Sequence, residues 1–279
     1  MRLSVVIVNW NTTPLLGECL RSLAAHPPAV EHEVIVVDNA SADFGKDAFR
    51  EEFADVTLIA NAGNAGYARG CNQGIEASTG DYILLLNPDT RVRADALDAL
   101  IEIMDRRKDA AAAGAKLVRP DGTVERSVRS FPYPAAVAFD FLGLSRILAQ
   151  SRTLGRYRMM WFSYTEEAEV DQPMGSCLIL RRKVIDEIGL MDEAFPIFFN
   201  EVDWLYRARQ AGYKAYFSPA AVVVHHGAAS TSHVDRRKMI SESHDSLIRF
   251  YAKHFRRGIV APVYYLVIAC IRVGTFLRR

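Results

Sequence analysis

The sequence predicts an α/β fold in which helices flank a mostly parallel central sheet. Short apolar runs alternate with segments of helical periodicity, as βαβ units require. The run Tyr82–Leu86 lacks apolar/polar alternation and stops at Asn87-Pro88-Asp89, which is typical of a buried strand at its carboxyl end. Because open α/β sheets bind ligands beyond that end, Asp89 is a candidate ligand or metal residue. The alternative is that Asp89 or Thr90 caps a helix over Ala94–Arg107.

Before residue 82, each predicted strand is followed directly by Asn or Asp. Thr12-Thr13-Pro14 supplies a cap and an N-terminal proline for the first helix, and a later helix over Gly66–Ser78 turns Cys71 and Ile75 inward. The three strands are predicted at Ser4–Val8, Glu33–Val37 and Val56–Ala60, and they are followed by Asn9, Asp38 and Asn61.

The second half begins with an irregular stretch. Residues 121–172 lose the strand and helix rhythm and become aromatic and basic, which indicates either an insertion with its own small core or a rim that meets a bulky acceptor. Regular elements resume with a strand over Met174–Leu180 and a helix over Arg182–Ile188. Further strands are predicted over Ala215–Ser218 and Ala221–Val224.

Composition describes an ordinary globular protein with an asymmetric charge. Half of the residues are hydrophobic, 24% are charged and the net charge is +1. After Asp245 there are seven basic residues and no acidic one, so the tail carries +7 and the remainder −6. The four cysteines form no C-x-x-C pair, and the N-terminal apolar run is too short for a signal peptide. These features favour a reduced, cytoplasmic compartment.

A second group of polar residues follows the insertion. Glu201 and Asp203 lie at the start of a predicted helix that ends at Gly212, where carboxylates would also suit the helix dipole alone. His225 and His226 follow the last apolar strand, so their imidazoles point to opposite faces. Asp89 and His225 could therefore share a hard divalent ion whose remaining positions are filled by substrate phosphates.

Two common nucleotide-binding classes are excluded. The loop Asn9-Trp10-Asn11-Thr12 contains no glycine, whereas dinucleotide enzymes carry a glycine-rich fingerprint between the first strand and helix. A sugar nucleotidyltransferase would carry a glycine-rich basic loop at the same place.

A glycosidase would need an acid in place of a metal, and no acid accompanies Asp89.

Seven short blocks in fixed order resemble the inverting family 2 glycosyltransferases of the GT-A fold, which has a Rossmann-like sheet, and most closely their bacterial rhamnosyltransferase-like branch. The resemblance spans about residues 3–230 and does not cover the tail. The blocks are Ser4–Asn11, Val37–Ser41, Asn61–Gly74, Asn87–Thr90, Gly175–Cys177, Asn200–Asp203 and Val224–Gly227.

The resemblance implies a role for each matching residue. Asp89 would be the metal aspartate, His225 would complete the coordination of Mg²⁺ or Mn²⁺, and Asn87 stands where the family's first carboxylate is usual. Glu201 would be the general base, with Asp203 as the fallback. The nucleotide would be bound through Asp38 at the base, Asn9 and Asn11 along the pocket, and Asn64, Gly66 and Asn72 near the base, ribose or phosphates.

The implied reaction is inverting transfer of rhamnose or another hexose from a dTDP- or UDP-linked donor to a glycan or lipid-linked acceptor in cell-envelope polysaccharide synthesis. A catalytically inactive nucleotide-sugar-binding protein is the first alternative, and it would not need the carboxylate of Glu201. An RNA-binding tail is the second alternative, but its apolar content argues against nucleic acid.

The predicted organisation is a glycosyltransferase domain over residues 1–240, with a nucleotide-sugar half (1–120) and an acceptor half (121–240), followed by a helical tail (241–279). Leu247, Phe250, Tyr251, His254 and Phe255 repeat at helical spacing beside basic residues, and the uncharged run Ile259–Ile271 is too short for a confident bilayer span. This pattern predicts that the tail attaches peripherally to the inner face of the membrane. A helix that covers the sheet, or a homodimer contact, is the alternative.

Overall fold

The computed structural model describes residues 2–227, 236–256, 264–265 and 267–269. In these ranges the chain forms an α/β unit with one large sheet between two apolar layers. The strands are β1 Arg2–Asn9, β2 Glu31–Asp38, β3 Thr57–Ala60, β4 Tyr82–Leu86, β5 Thr90–Val92, β6 Ala110–Val118, β7 Val128–Arg129, β8 Ala168–Val170, β9 Gln172–Pro173, β10 Cys177–Arg181 and β11 Lys214–His225.

Six of the described helices occur in the order that the sequence predicts, and the three at residues 46–52, 134–141 and 144–147 were not predicted. The helices are α1 Thr13–Ala25, α2 Lys46–Glu52, α3 Tyr67–Ala77, α4 Ala96–Arg106, α5 Pro134–Phe141, α6 Leu144–Ile147, α7 Arg182–Ile188, α8 Asn200–Gln210 and α9 Arg236–His254.

The large sheet contains parallel and antiparallel strand pairs, and its longest pairings are parallel. Its strand order is β3-β2-β1-β4-β10-β6-β11-β5, and β8 pairs with β11. The first four strands are parallel, and β6 and β11 are parallel to each other. Strand β10 runs antiparallel between β4 and β6, and β5 and β8 run antiparallel to β11. Every long strand except β10 still ends at the same edge, which we call the carboxyl edge.

Two local predictions differ from the structure. Helix α4 begins at Ala96 after Asp95, whose φ is +61°, so Asp89 does not cap it, and Thr90 begins strand β5. The two strands predicted on either side of residue 220 are one strand, β11, with a register shift between Ser218 and Val222. Such an irregularity accommodates Pro219, which has no N–H to donate to a neighbouring strand.

The insertion forms little regular structure and has a small core of its own. Val128, Met159, Tyr164 and Val170 are buried together against Phe217 of β11. The aromatic rings of Tyr164 and Phe217 meet edge to face, with centroids 5.4 Å apart. A small core of this kind agrees with the first interpretation of the stretch, and a meeting with an acceptor stays a prediction.

Helix α9 packs on the protein. The predicted apolar stripe lies inside, because Leu247, Phe250, Tyr251 and Phe255 are between 0% and 8% exposed and belong to the core on one side of the sheet. The alternative prediction, that this helix covers the sheet, is therefore correct for the apolar stripe. The buried stripe cannot contact lipid. The predicted domain boundary after residue 240 falls within α9. Most of Ile259–Ile271 lies outside the described residues.

Candidate active site

The carboxyl edge brings Asp89 and His225 together. Asp89 follows β4, and His225 ends β11, where it pairs with Thr90 of β5. Both side chains are buried, and Nε2 of His225 lies 3.4 Å from a carboxylate oxygen of Asp89. The backbone N–H of His226 donates to the carbonyl oxygen of Asp89 at 2.9 Å, which fixes the two strand ends to each other.

Glu125 is the third member of this group. The turn after β6 places its carboxylate 2.7 Å from Nδ1 of His225. Burial alone would lower the pKa of His225, but the hydrogen bonds to Asp89 and Glu125 outweigh burial and raise that pKa to about 9. A carboxylate on Nδ1 also orients the ring so that Nε2 faces Asp89, as second-shell carboxylates do for metal-bound histidines.

These residues provide part of the coordination that a divalent ion needs. Among the described residues no group of three or more His, Cys, Asp and Glu side chains forms a complete metal cluster. Asp89 and His225 nevertheless present one carboxylate oxygen and one imidazole nitrogen to the same place. The carboxylate suits Mg²⁺ or Mn²⁺, whereas the imidazole nitrogen is a better ligand for a transition-metal ion such as Mn²⁺ than for Mg²⁺. An ion held by two protein ligands would need the oxygens of a bound diphosphate to complete its coordination.

Asn87 is held by two hydroxyl groups. The Tyr67 hydroxyl donates to Oδ1 of Asn87 at 3.2 Å, and Nδ2 of Asn87 donates to the Ser176 hydroxyl at 3.2 Å. The backbone N–H of Asn87 donates to the carbonyl oxygen of Ser176 at 2.9 Å. The amide that replaces a carboxylate is thus fixed in position, with its oxygen directed at Tyr67.

Both candidate carboxylates influence the Tyr67 hydroxyl. Burial raises the pKa of its hydroxyl well above the usual value, and the nearby Cys71, Glu201 and Asp89 raise this pKa further. The hydroxyl is therefore within electrostatic reach of both Asp89 and Glu201, and it stays protonated. Its position at the start of α3 is fixed because its backbone N–H donates to the Pro196 carbonyl oxygen at 2.7 Å.

Glu201 lies in the first turn of α8. Asn200, which is 1% exposed, donates to the Ile197 carbonyl oxygen at 2.9 Å and accepts from the Glu201 N–H at 2.8 Å, so it locks the loop into the helix. The Glu201 side chain lies over Gly175, where an added Cβ would be 3.5 Å from its Cγ. Burial raises the pKa of Glu201 above its usual value, as expected for a carboxylate that accepts protons near neutral pH.

Asp203, the predicted fallback base, has different surroundings. It is 0% exposed, and its oxygens lie 2.9 Å from Arg207, 2.9 Å from Lys253 and 2.7 Å from Nε2 of His254. Burial opposes its ionisation, but hydrogen bonds from His254, Lys253 and Arg207 outweigh burial and lower the pKa of Asp203. A buried carboxylate held by three basic groups is a poor proton acceptor. It joins α8 to α9, and we call these four side chains the α8–α9 clasp.

Asn9 and Asp38 end two neighbouring parallel strands and bind each other. Nδ2 of Asn9 donates to Asp38 at 2.9 Å, and the Ser41 hydroxyl donates to the same carboxylate oxygen at 2.6 Å. The Ser41 N–H reaches the other oxygen at 3.1 Å. Asp38 is only 2% exposed, so these hydrogen bonds fix its carboxylate at the carboxyl edge. Its predicted contact with a nucleobase stays a prediction.

The loops around this pair adopt restricted backbone conformations. Asn11 has a φ of +54° and Ala40 a φ of +58°, and Oδ1 of Asn11 accepts the N–H of Ala42 at 2.8 Å. Non-glycine residues in this left-handed region cost free energy and cluster at binding sites. Gly66 has a φ of +88°, and a Cβ there would lie 3.2 Å from Pro196. Oδ1 of Asn64 accepts the Gly66 N–H at 2.9 Å, so this loop is shaped by glycine and asparagine.

Asn72 has a structural explanation. It is 3% exposed, and its amide donates to the Met191 carbonyl oxygen and to Glu193, both at 3.0 Å, and accepts the Met191 N–H at 3.0 Å. These bonds fix the loop before α8. They use both amide hydrogens and therefore give no support to the predicted nucleotide contact.

Sequence reasoning assigned no role to three of the residues that shape the site: Tyr67, Glu125 and Ser41. Tyr67 and Ser41 lie inside the blocks that carry the resemblance, so their positions were a usable signal. Glu125 lies in the insertion and 100 residues from His225, and no pattern in the sequence connects them.

Comparisons with known proteins agree with this arrangement. The family model described as "Glycosyl transferase family 2" matches residues 4–189. An N-acetylglucosaminyl-diphospho-decaprenol L-rhamnosyltransferase of Mycobacterium tuberculosis is 28% identical over 274 residues, which are 94% of this chain and 87% of that protein. The low-salt glycan biosynthesis hexosyltransferase Agl10 of Haloferax volcanii is 26% identical over 75% of this chain and 62% of its own length.

Solved structures show the same fold. The mannosyltransferase PcManGT from Pyrobaculum calidifontis, in complex with GDP-Man and Mn²⁺, superposes with a TM-score of 0.62 at 19% identity, covering 99% of this chain and 69% of that one. The TarS fragment 1–349 of S. aureus, in complex with UDP-GlcNAc, superposes with a TM-score of 0.59 at 14% identity, covering 99% and 73%. The GT-A fold that the resemblance implies is thus confirmed. The chain is a glycosyltransferase that belongs to family 2, in its rhamnosyltransferase-like branch.

Proposed function

We propose that this protein transfers a hexose, with inversion, from a nucleoside diphosphate sugar to a glycan or lipid-linked acceptor, and that transfer requires a divalent cation. The observation that carries the proposal is the pairing of Asp89 with His225 at the carboxyl edge, with Glu201 within electrostatic reach of the same Tyr67 hydroxyl. The proposal assigns one group to a metal and one to a proton, and their shared influence on Tyr67 supports their belonging to one site.

The donor half rests on the carboxyl edge. Asp89 and His225 would hold Mg²⁺ or Mn²⁺ against the diphosphate, and the ion would neutralise charge on the departing phosphate. Asn9, Asp38 and Ser41 form a fixed polar group at the neighbouring strand ends, where a nucleoside would be oriented. A dTDP- or UDP-linked sugar is the donor class we favour, and the mycobacterial relative makes rhamnose the first candidate sugar.

The acceptor half rests on α8. Glu201 would take the proton from the acceptor hydroxyl as that oxygen attacks the anomeric carbon, and its raised pKa suits this role. One base and a direct displacement invert the configuration without a covalent intermediate. Asp203 does not compete for the role, because its carboxylate is held by Arg207, Lys253 and His254. Cell-envelope polysaccharide synthesis is the proposed setting.

A donor screen tests this proposal. Purified protein is incubated with a panel of dTDP-, UDP- and GDP-linked sugars, with Mn²⁺, with Mg²⁺ or with EDTA, and release of the nucleoside diphosphate is measured. We expect metal-dependent release from one donor class, faster when an acceptor is added. A nucleotide sugar that binds but is never turned over with any acceptor tested would favour the inactive binding protein instead.

A further inference from the structure

The insertion presents an exposed apolar tip. Six large hydrophobic side chains are exposed among the described residues, and three of them lie within seven positions. Ile147 is 78% exposed, Leu142 71% and Leu148 46%. Single exposed leucines are ordinary, but a concentration of this kind at one end of a helix pair marks an interaction surface.

The tip belongs to a folded and anchored element. Helices α5 and α6 form a hairpin that turns at Gly143, whose φ is +76°. Ala136 and Val137 of α5 are buried. Asp140 at the end of α5 forms a salt bridge with Arg158 and accepts from the Ser145 hydroxyl. The exposed side chains are therefore held outward by a fixed base, and we call Leu142, Arg146, Ile147 and Leu148 the hairpin tip.

The one charged side chain of the hairpin tip, Arg146, is basic. Residues 141–165 contain four arginines and no aspartate or glutamate. Arg158 is paired with Asp140, whereas Arg146 is exposed on α6 next to Ile147. Aliphatic side chains for the acyl boundary, together with a guanidinium group for phosphate head groups, are the combination that binds the surface of an anionic bilayer.

The described part of α9 does not provide the membrane-binding surface that the sequence predicts for the tail. The stripe Leu247–Phe255 is buried in the core, and two of its neighbouring basic residues pair with acids, Arg249 with Glu242 and Lys253 with Asp203. No helix of the described ranges is long and apolar enough to cross a bilayer. A contact with lipid in these ranges would therefore be peripheral.

We propose that the hairpin tip docks this protein on an anionic membrane surface. Leu142, Ile147 and Leu148 enter the acyl boundary while Arg146 contacts the phosphates of the head groups. The inference does not depend on the identity of the donor or on catalysis. If the acceptor is lipid-linked, as the proposed function holds, docking would bring the protein to the membrane that carries it.

Vesicle flotation tests the proposal with the full-length protein. Wild type is mixed with vesicles of phosphatidylglycerol and phosphatidylcholine, or of phosphatidylcholine alone. We expect flotation with the anionic vesicles. The triple variant Leu142→Ser, Ile147→Ser, Leu148→Ser should bind roughly 10³-fold more weakly, because burial of each aliphatic side chain contributes about tenfold and the three factors multiply. Arg146→Gln should weaken flotation with anionic vesicles, and high salt should reduce this difference.

The matched control is Val124→Ser, which removes an exposed aliphatic side chain outside the tip and should float like wild type. Because all the changed side chains are exposed, melting temperatures should stay within a few degrees, and a variant that fails this check is replaced by the single change Ile147→Ser. Absence of wild-type flotation, or equal flotation of wild type and the triple variant, would overturn the proposal. A triple variant that changes only from dimer to monomer in light scattering would assign the tip to a second copy of the chain instead.

Discussion

The α8–α9 clasp gives the sharpest test of how the site is held. In the variant Asp203→Asn the side chain keeps its size but loses the charge that faces Arg207, Lys253 and His254. If Asp203 is a structural carboxylate, the variant should lose stability while each folded molecule keeps most of its turnover. If Asp203 were the general base, the opposite result would follow.

The magnitude follows from burial. Removing one partner of a buried ion pair costs about 3–5 kcal/mol, because the remaining charges are left without compensation. Asp203 is fully buried, but Lys253 is 34% exposed and can regain water, so we expect a loss of about 2–4 kcal/mol. For a domain of this size that loss lowers the melting temperature by roughly 5–15 °C.

The pH dependence has a definite sign. The folded-state pKa of Asp203 lies below its ordinary value, so the stabilising contribution is complete at pH values above the unfolded pKa and is lost as the pH falls through the folded pKa. The difference between wild type and Asp203→Asn should therefore be full at pH 7 and shrink under acid, below about pH 4.

Urea unfolding at several pH values, with turnover measured on the same samples, is the assay. The matched control is Glu52→Gln, which removes one charge of the exposed Arg21–Glu52 pair and should cost less than about 1 kcal/mol. A stable Asp203→Asn protein whose turnover has fallen about 10²-fold would refute this reasoning and make Asp203 the base.

Three further changes test the rest of the site. Glu201→Gln should keep donor binding and lower turnover by roughly 10²-fold or more. Because the pKa of Glu201 is raised, the wild-type rate should begin to fall with decreasing pH at a pH above the ordinary pKa of a glutamate. The variant should also be more stable than wild type at pH 7, because the fold disfavours the ionised form of Glu201. His225→Ala should lose activity that high Mn²⁺ partly restores, with a smaller loss in His226→Ala; equal, metal-independent losses would make both histidines structural. Tyr67→Phe removes the hydrogen bond to the Asn87 amide oxygen and should lower kcat/KM about 3- to 10-fold. The control Tyr213→Phe, which removes the hydroxyl that donates to Glu187, should not change it.

Sequence patterns predicted the elements that carry the site. The strand that ends at Leu86, the helix that starts near Glu201 and the histidines after the last strand all lie where periodicity and breakers indicate. Local signals suffice there because strands buried on both faces are continuous apolar runs, and polar residues follow them at the binding edge.

Other features depend on contacts that no local pattern records. Strand β6 is a run of alanines of weak β-propensity, and it is a strand because β10 and β11 enclose it. Gly114 within it lies against Pro173, where a Cβ would be 2.4 Å from the ring. The antiparallel direction of β10 likewise follows from its long-range pairing.

The tail shows why an amphipathic pattern alone does not identify a partner. An apolar stripe beside basic residues satisfies a membrane surface or a protein core equally well. Here Phe250 and Tyr251 are fully buried, and Lys253 binds a carboxylate 50 residues earlier in the chain. Burial of these rings against the fold and the position of Asp203 distinguish the two outcomes, and the local sequence pattern records neither.

The most direct test of metal-dependent transfer is calorimetric titration of the nucleotide-sugar donor into wild type and Asp89→Ala, each with Mn²⁺ and with EDTA. Asp89 provides the carboxylate that faces Nε2 of His225 at 3.4 Å. We predict that wild type binds the donor more tightly with Mn²⁺, and that Asp89→Ala loses this metal-dependent gain together with transfer. Equal donor affinity in both proteins, with the same response to Mn²⁺ and the same rate of transfer, would contradict the account.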